Sequence, residues 1–314
     1  MPFERPVDIC KAYENGLEGT PFSPRELDEF LGESKHPMFG PAAYNLVGSG
    51  KGKLVLLHKL LKPLDPSFGE TESQKTGDCT SHATRNAGDL TRNAEIVGGE
   101  REDFLVRGAT EPIYGARGHS GQGMSVAKAA KFVTDNAGFL LRKKYDDLGL
   151  DLTQYNAKTG MSWGRNGVPR NVIEKAKENS FQTASLVTTV EEARDAIANG
   201  YGLTVGSQGG FSSRRDKYGI AKRTTSWNHC MAWAAVDDTK QRLNETLFLI
   251  INSWGRWNSG PKILDQPEGS FWIRESDAAW MLRQNQAYAL SSFDGFKPKD
   301  LDFTGLDNLE DLIG

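Results

Sequence analysis

The apolar residues of this 314-residue chain change their spacing from one half to the other, and that change limits the architectures open to it. In the first half they recur at helical spacing, as Cys79, Ala83 and Ala87 do at the start of the segment 79–97. In the second half, short apolar runs such as LFLII at 247–251 have the length and composition of strands. Helices followed by strands predict an α+β chain with two lobes and a cleft between them.

Three helices are expected from this spacing. The first covers 79–97, the second runs from Ser125 to about Asn136, and the third begins at Thr189. Glu192 stands three residues after Thr189 and completes a capping box, which favours a helix start there. The strands are expected at Leu54–Leu57, Leu203–Gly206, Cys230–Val236, Leu247–Ile251 and Gly269–Glu275.

The chain has no internal repeat and no low-complexity block, so its middle is interpreted as one continuous globular body. We expect an N-terminal extension over 1–65, the body over 66–292 and an acidic C-terminal tail over 293–314. Within the body, the helical lobe is expected at about 66–185 and the β lobe at about 186–292. The cleft between the lobes is the expected place for a site.

The tail carries two lysines and five acidic residues from Lys297 onward. Leu306, Leu309 and Leu312 recur at helical spacing, which suits an apolar stripe that docks into the groove of a partner. Two interpretations stay open: residues 300–314 dock the chain on a larger assembly, or they form a disordered acidic tail that aids solubility.

The charge and the cysteine content exclude several classes of protein. Lys and Arg number 38 against 41 Asp and Glu, so the formal charge is −3 and no general basic surface for nucleic acid is expected. The three cysteines are too few and too scattered for a disulfide framework, and no Cys or His cluster has the spacing of metal ligands. No signal peptide is visible, and no run reaches the roughly 18 apolar residues of a membrane span. We therefore expect a soluble, cytoplasmic protein without a metal or a cofactor.

Cys79 is a chemically credible nucleophile. It follows Gly77 and Asp78 at the predicted start of a helix, where unpaired backbone N–H groups and the helix dipole favour a thiolate over a thiol. Taken alone this is weak evidence, because an inert buried cysteine is the commoner explanation.

Two further motifs follow Cys79 along the chain. His229 directly precedes an apolar strand in the segment WNHCMAW, and Asn252 directly follows one in the segment LFLIINSWG. With Gln74 before the cysteine, these motifs resemble the signature of papain-like cysteine peptidases. The separation of 150 residues between Cys79 and His229 (229 minus 79) fits the roughly 130–150 typical of that family. The resemblance covers about residues 74–289 and implies a helix-rich first lobe and an antiparallel, β-barrel-like second lobe.

The resemblance also implies a role for each residue of the site. Cys79 is the nucleophile, His229 the general base, and Asn252 the residue that orients the imidazole. Trp254 shields the hydrogen bond between the last two, and Gln74 joins the backbone N–H of Cys79 in an oxyanion hole. Gln74 lies five residues before the cysteine (79 minus 74) rather than the family's six, which implies a shorter loop. With an imidazolium beside it, the thiol is expected to have a pKa well below about 8.5.

Substrate-binding residues are implied by two segments. HSGQGMSV resembles the glycine strip along which a substrate backbone runs in this family, with Gln122 and Gly123 in the strip and Met124 in the neighbouring side-chain pocket. Trp227 and Asn228, which directly precede the histidine, are also expected to bind substrate, as is Trp254.

The chain departs from the family pattern around its nucleophile. The usual tryptophan after the cysteine is Thr80 here, and the usual disulfide cysteine is absent, with Thr76 standing three residues before Cys79. The missing disulfide agrees with a cytoplasmic or virion-associated protein. The segment YGARG at 114–118 makes the chain most similar to the bacterial and bacteriophage branch of the family.

Two other residues compete for a role in the site. Cys230 neighbours His229, but successive strand residues point to opposite faces, so Cys230 is interpreted as core packing. His82 follows Cys79 by one helical turn and is a rival base, although no Asn or Asp in a recognisable motif would orient it.

The leading interpretation of the sequence is a cysteine peptidase that hydrolyses peptide bonds in an extended polypeptide. One alternative is a catalytically slow or inactive papain-like component of a larger assembly such as a phage virion. Another is a cell-wall peptide hydrolase, although no wall-binding repeat or basic patch supports it. Neither nucleic acid nor a membrane is expected as a partner.

Overall fold

A computed structural model describes residues 23–61, 72–99 and 107–304. The α-helices are α1 Pro24–Glu33, α2 Phe39–Ala42, α3 Leu57–Leu61, α4 Cys79–Val97, α5 Glu111–Gly115, α6 Val126–Lys131, α7 Ala157–Asn166, α8 Arg170–Ala176, α9 Val190–Ala198 and α10 Glu275–Leu282. The strands are β1 Leu54–Leu56, β2 Lys144–Tyr145, β3 Leu150–Asp151, β4 Thr183–Leu186, β5 Leu203–Arg215, β6 Ala221–Asp237, β7 Leu247–Ile251, β8 Phe271–Arg274 and β9 Ala287–Ser291. Across these ranges, every helix is too short or too polar to cross a bilayer.

The strands of the second lobe form one antiparallel sheet in the order β4, β9, β5, β6, β7, β8, and β1 pairs with β6. The α+β, two-lobed fold expected from the sequence is confirmed. The sheet is open rather than a closed barrel, because its end strands β4 and β8 do not pair with each other in the described part of the chain.

Local sequence signals explain the bounds of several helices. The predicted helix 79–97 is α4 Cys79–Val97. Thr189 and Glu192 form the expected capping box at the start of α9. The second predicted helix is shorter than expected, because α6 is capped by Ser125 but gives way to a π-helical turn after Lys131.

Helix α4 lies between two hydrophobic cores. Cys79 and Ala83 belong to the core of the helical lobe, whereas Leu90 and Ala94 belong to the core of the sheet lobe. The helix packs on both β5 and β6. This position brings its first residue to the boundary between the lobes.

The polar face of α4 is buried as well, which helical periodicity did not indicate. Arg85 lies 3.3 Å from Glu72 and 3.8 Å from Asp89, so the guanidinium is paired with two carboxylates. Glu95 accepts the backbone N–H of Ser292 at 3.1 Å. Arg85 and Glu95 can be buried here because each has a charged or hydrogen-bonding partner, whereas the side-chain amide of Asn93 is buried without a hydrogen-bond partner among the described residues.

The described parts of the predicted extension and tail pack against the two lobes. Phe30 of α1 meets Tyr288 of β9 edge to face, with 4.9 Å between the ring centroids. Leu301 and Phe303 are buried in the core of the sheet lobe, and the backbone N–H of Phe303 donates to the carbonyl of Leu54 at 2.7 Å. The leucines of the predicted docking stripe lie outside the described residues.

Candidate active site

Cys79 is the first residue of α4 and only 3% of its surface is exposed. The loop before it is held by Asp78, whose carboxylate accepts a hydrogen bond of 2.7 Å from the hydroxyl of Tyr155. His82 lies 3.5 Å from Asp78 and 3.6 Å from Glu72, so it faces two carboxylates. Sequence reasoning gave Asp78 no role, although an acidic residue directly before a cysteine at a helix start could have signalled one.

The thiol of Cys79 lies in an environment that favours its protonated form. Burial raises its pKa from the ordinary 9.0 to about 11, and the charge of Asp78 acts in the same direction. The backbone N–H of Cys230 and the groups of Thr80 lower the pKa by less. The expectation of a depressed thiol pKa is therefore wrong for this structure, because desolvation outweighs the helix dipole.

We expect the rate of Cys79 alkylation to rise about tenfold per pH unit from neutral pH to about pH 10, because only the thiolate reacts and the thiol pKa is about 11. The measurement is iodoacetamide labelling of the native protein, quantified at Cys79 by peptide mapping. An alkylation rate that reaches a plateau below about pH 8.5 would contradict the raised thiol pKa and would indicate a thiolate–imidazolium pair.

His229 lies on β6 and Asn252 directly follows the neighbouring strand β7. The Nε2 atom of His229 is 2.8 Å from the Oδ1 atom of Asn252. Because Oδ1 can only accept, Nε2 carries the proton, and Nδ1 is left as the nitrogen that can take up another. The structure thus brings together two of the residues predicted for the site in the relation expected of them.

A cluster of indole rings covers this histidine. Trp254 stacks on the His229 ring, with 4.3 Å between centroids and 22° between planes. Trp227 meets Trp254 edge to face at 4.7 Å. Burial lowers the pKa of His229 to about 4, while its hydrogen bond to Asn252 raises the pKa and the charge of His82 lowers it. The imidazole is therefore neutral at pH 7.

Gln74 is tied to the segment that follows Asn252. Its Oε1 atom accepts a hydrogen bond of 2.6 Å from the hydroxyl of Ser253, and its backbone N–H donates to the carbonyl of Ser253 at 2.8 Å. Its side-chain Nε2 donates to the carbonyl of Thr76 at 2.8 Å. Ser253 received no role from the sequence, although it stands inside the Asn-Ser-Trp-Gly motif.

The residues predicted to bind substrate do not all lie on one surface: two border the loop before Cys79, one is in the core of the helical lobe and Asn228 is on β6. The Oε1 atom of Gln122 accepts from the hydroxyl of Thr76 at 2.6 Å and from the backbone N–H of Gly77 at 2.5 Å. Gly123 donates its backbone N–H to the carbonyl of Gly77 at 3.1 Å, so both residues border the loop that leads to the cysteine. Met124 is buried in the core of the helical lobe. Asn228 is half-buried between Trp227 and His229 on β6.

The two rival residues are both buried. Cys230 is a free thiol whose Sγ atom is 3.6 Å from the hydroxyl of Thr204, among core residues of the helical lobe. His82 packs edge to face on Tyr155, at 5.0 Å between centroids, on the side of the helix that carries the carboxylates.

Comparison with known proteins adds a structural likeness. No family model matches the chain, and no curated protein does. Xylellain, a cysteine protease from Xylella fastidiosa, superposes with a TM-score of 0.53 at 15% identity over 90% of this chain and 97% of the other. The chain has a papain-like fold.

Two other papain-like structures superpose less closely. The clostridial cysteine protease Cwp84 gives a TM-score of 0.47 at 18% identity, over 74% of this chain and 56% of its own. The bromelain protease from Ananas comosus gives 0.46 at 12% identity, over 76% of this chain and 98% of its own. In the papain-like fold of this chain, Cys79 comes from the helical lobe, whereas His229 and Asn252 come from the sheet lobe.

Proposed function

We propose that this chain is a papain-like cysteine peptidase that hydrolyses peptide bonds in a polypeptide substrate. The observation that carries the proposal is the 2.8 Å hydrogen bond between His229 and Asn252 under the stacked ring of Trp254. This bond fixes the tautomer of the His229 imidazole. The next residue along the chain is Cys230, and its backbone N–H interacts with the thiol of Cys79. These contacts support the arrangement that nucleophilic acyl transfer requires, in which an oriented neutral histidine accepts the proton of the cysteine thiol.

In the proposed reaction, the Sγ atom of Cys79 attacks the carbonyl carbon while its proton moves to Nδ1 of His229. The tetrahedral intermediate collapses, the C–N bond breaks, and the imidazolium gives its proton to the leaving amine. A water molecule, deprotonated by the same histidine, then attacks the thioester and releases the acid and the thiol.

Gln74 and the backbone N–H of Cys79 are proposed to stabilise the oxyanion of that intermediate. The bonds between Gln74 and Ser253 support this role, because they fix the amide on the loop that leads to the nucleophile. A donor held in place before the reaction loses no free energy to reorganisation, and one such donor lowers the barrier by about 3 kcal/mol in other proteases.

A second candidate function is a slow or inactive papain-like component of a larger assembly. It is favoured by the resting protonation of the site, since the pKa of Cys79 is about 11 and that of His229 about 4. Both groups are then uncharged at pH 7, so a substrate has to be bound before proton transfer produces the thiolate. An enzyme with such a site reacts slowly unless binding changes the environment of the thiol.

Labelling with an epoxide-type thiol inhibitor tests the two candidates together. For an active peptidase, we expect one label, located at Cys79 by mass spectrometry, and the loss of hydrolysis of a fluorogenic peptide. The matched control is Cys79→Ala, which should take up no label. Labelling without hydrolysis of any peptide in a broad library would favour the slow component, and the absence of label at Cys79 would refute the peptidase.

Membership in a bacteriophage or bacterial assembly and hydrolysis of cell-wall peptides stay predictions. The docking role of the C-terminal residues is best tested by a deletion that begins at residue 305. A deletion from Asp300 would remove Leu301 and Phe303 from the core of the sheet lobe and would destabilise the fold itself.

A further inference from the structure

A cavity lies on the sheet lobe, at the turn end of the β5–β6 hairpin and beside the first turn of α10. Its volume is about 800 Å³. Five basic residues line it, namely Arg214, Arg215, Lys222, Arg223 and Arg274. Two carboxylates, Asp216 and Asp277, line it as well, so its net charge is +3 (five minus two). The whole chain has a charge of −3, so the positive charge at this cavity is a local concentration.

The hairpin pairing holds several of these cations close together. Phe211 pairs with Arg223 and Arg215 with Ala221 across the hairpin, so the basic residues at 214, 215, 222 and 223 all lie in this one stretch of the two strands, where the register shifts. Like charges gathered in one stretch of a hairpin repel each other and cost stability. An arrangement that costs stability and gains none is expected to serve binding.

Two of the exposed cations have no ion-pair partner among the described residues. Arg223 lies 3.4 Å from Asp277, and Arg274 is paired with Glu245. Arg214 and Lys222, by contrast, form no ion pair with any residue in the described ranges. Their charges are therefore available to an anionic ligand.

Arg215 adds a buried positive charge behind the cavity. It is 5% exposed and its guanidinium donates to neutral acceptors, including the carbonyls of Gly260 at 2.7 Å and Ser270 at 2.8 Å and the Oδ1 atom of Asn258 at 2.6 Å. These oxygens satisfy its N–H groups without cancelling its charge. A charge in a poorly solvated position acts over a longer distance than one in water.

The cavity lies within reach of a substrate bound at the site. Arg223 stands six residues before His229 on the same strand (229 minus 223), which corresponds to about 20 Å. An extended polypeptide with its scissile bond near His229 would cover that distance with about six residues. We propose that this cavity is a second binding site for an acidic segment of the polypeptide substrate, about six residues from the scissile bond.

This inference rests on the proposed peptidase function. A short carboxylate-bearing segment fits better than a nucleic acid, because the net negative charge of the chain opposes the approach of a long polyanion. Asp216 and Asp277 in the lining would also repel a continuous phosphate backbone.

The test measures binding to the Cys79→Ala variant, which cannot cleave the ligand. Fluorescent peptides share one core and carry four glutamates or four glutamines, placed about six residues from the core at either end. Fluorescence anisotropy should show that, with the segment at one of the two ends, the glutamate peptide binds about tenfold more tightly than the matching glutamine peptide. Its affinity should fall as salt is added. Arg214→Glu should remove the preference, whereas the matched control Arg165→Glu, at an exposed position of α7, should keep it.

Equal binding of the glutamate and glutamine peptides, or equal loss in the two charge-reversal variants, would overturn the inference. Tighter binding of an oligonucleotide of equal charge would also overturn it. Because the binding measurement needs no hydrolysis, failure of the peptidase proposal can be distinguished from failure of this inference. In that case the preference for the acidic peptide persists although the unmodified protein cleaves nothing.

Discussion

Replacement of Cys79 by alanine is expected to lower kcat/KM for a polypeptide substrate by at least about a thousandfold. The change removes the only atom that the proposed reaction bonds to the substrate, while the oxyanion donors stay in place. The free energy of unfolding should change by only about 1 kcal/mol, because one buried sulfur is lost at the start of α4. The measurements are initial rates with a fluorogenic peptide and chemical denaturation of the same preparations.

Cys230→Ala is the matched control for that result. Cys230 is also a free, buried cysteine of the same core, but the proposed reaction does not use its side chain. Its replacement should leave kcat/KM within about threefold and cost similar stability. Turnover by Cys79→Ala within about tenfold of the unmodified protein would show that the nucleophile has been assigned incorrectly.

Replacement of His229 by alanine should lower kcat by at least about a thousandfold as well. The thiol pKa of about 11 means that almost no thiolate is present at pH 7, so the reaction depends on a base that accepts the proton. Asn252→Ala should have a milder effect, about ten- to a hundredfold, because the base is still present but no longer held by the 2.8 Å hydrogen bond.

The order of these two effects is the informative measurement. His36→Ala, at a histidine whose Nε2 lies 2.6 Å from Asp294 and which has no role in the proposed reaction, is the control and should change kcat by less than about twofold. Small and equal effects at His229 and Asn252 would remove both residues from the mechanism. An effect of Asn252→Ala as large as that of His229→Ala would indicate that the asparagine holds the fold of the site and not only the tautomer.

Short-range patterns in the sequence were sufficient to predict the bounds of several helices and strands. The bounds of α4 and of β7 coincide with those expected, because helical spacing marks the first and an uninterrupted apolar run marks the second. The start of α9 follows from the capping box of Thr189 and Glu192, which involves residues only three positions apart. The strand order and the open form of the sheet were not predictable in this way, since the pairing of strands depends on contacts distant in sequence.

The sequence motifs indicated the candidate residues of the site but not the hydrogen bonds and burial that surround them. The Asn-His and Asn-Ser-Trp-Gly segments indicated His229, Asn252 and Trp254, and these three side chains are in contact in the structure. The hydrogen bond between Gln74 and Ser253 joins positions far apart in the chain, so no local signal predicts it. Their catalytic roles stay predictions until the variants are measured.

The sequence by itself determined the α+β class, the main helices and strands, and a short set of candidate residues, because each depends on neighbours within a few positions. Only the tertiary structure decided how far the candidate side chains are shielded from water. A helix start predicts a thiolate at Cys79, yet packing of α4 between the lobes raises the pKa of the thiol to about 11. The same holds for the cations at 214, 215, 222 and 223, which lie in one stretch of the hairpin only when β5 and β6 pair. Desolvation and charge proximity are set by residues distant in sequence, and spacing along the chain does not record them.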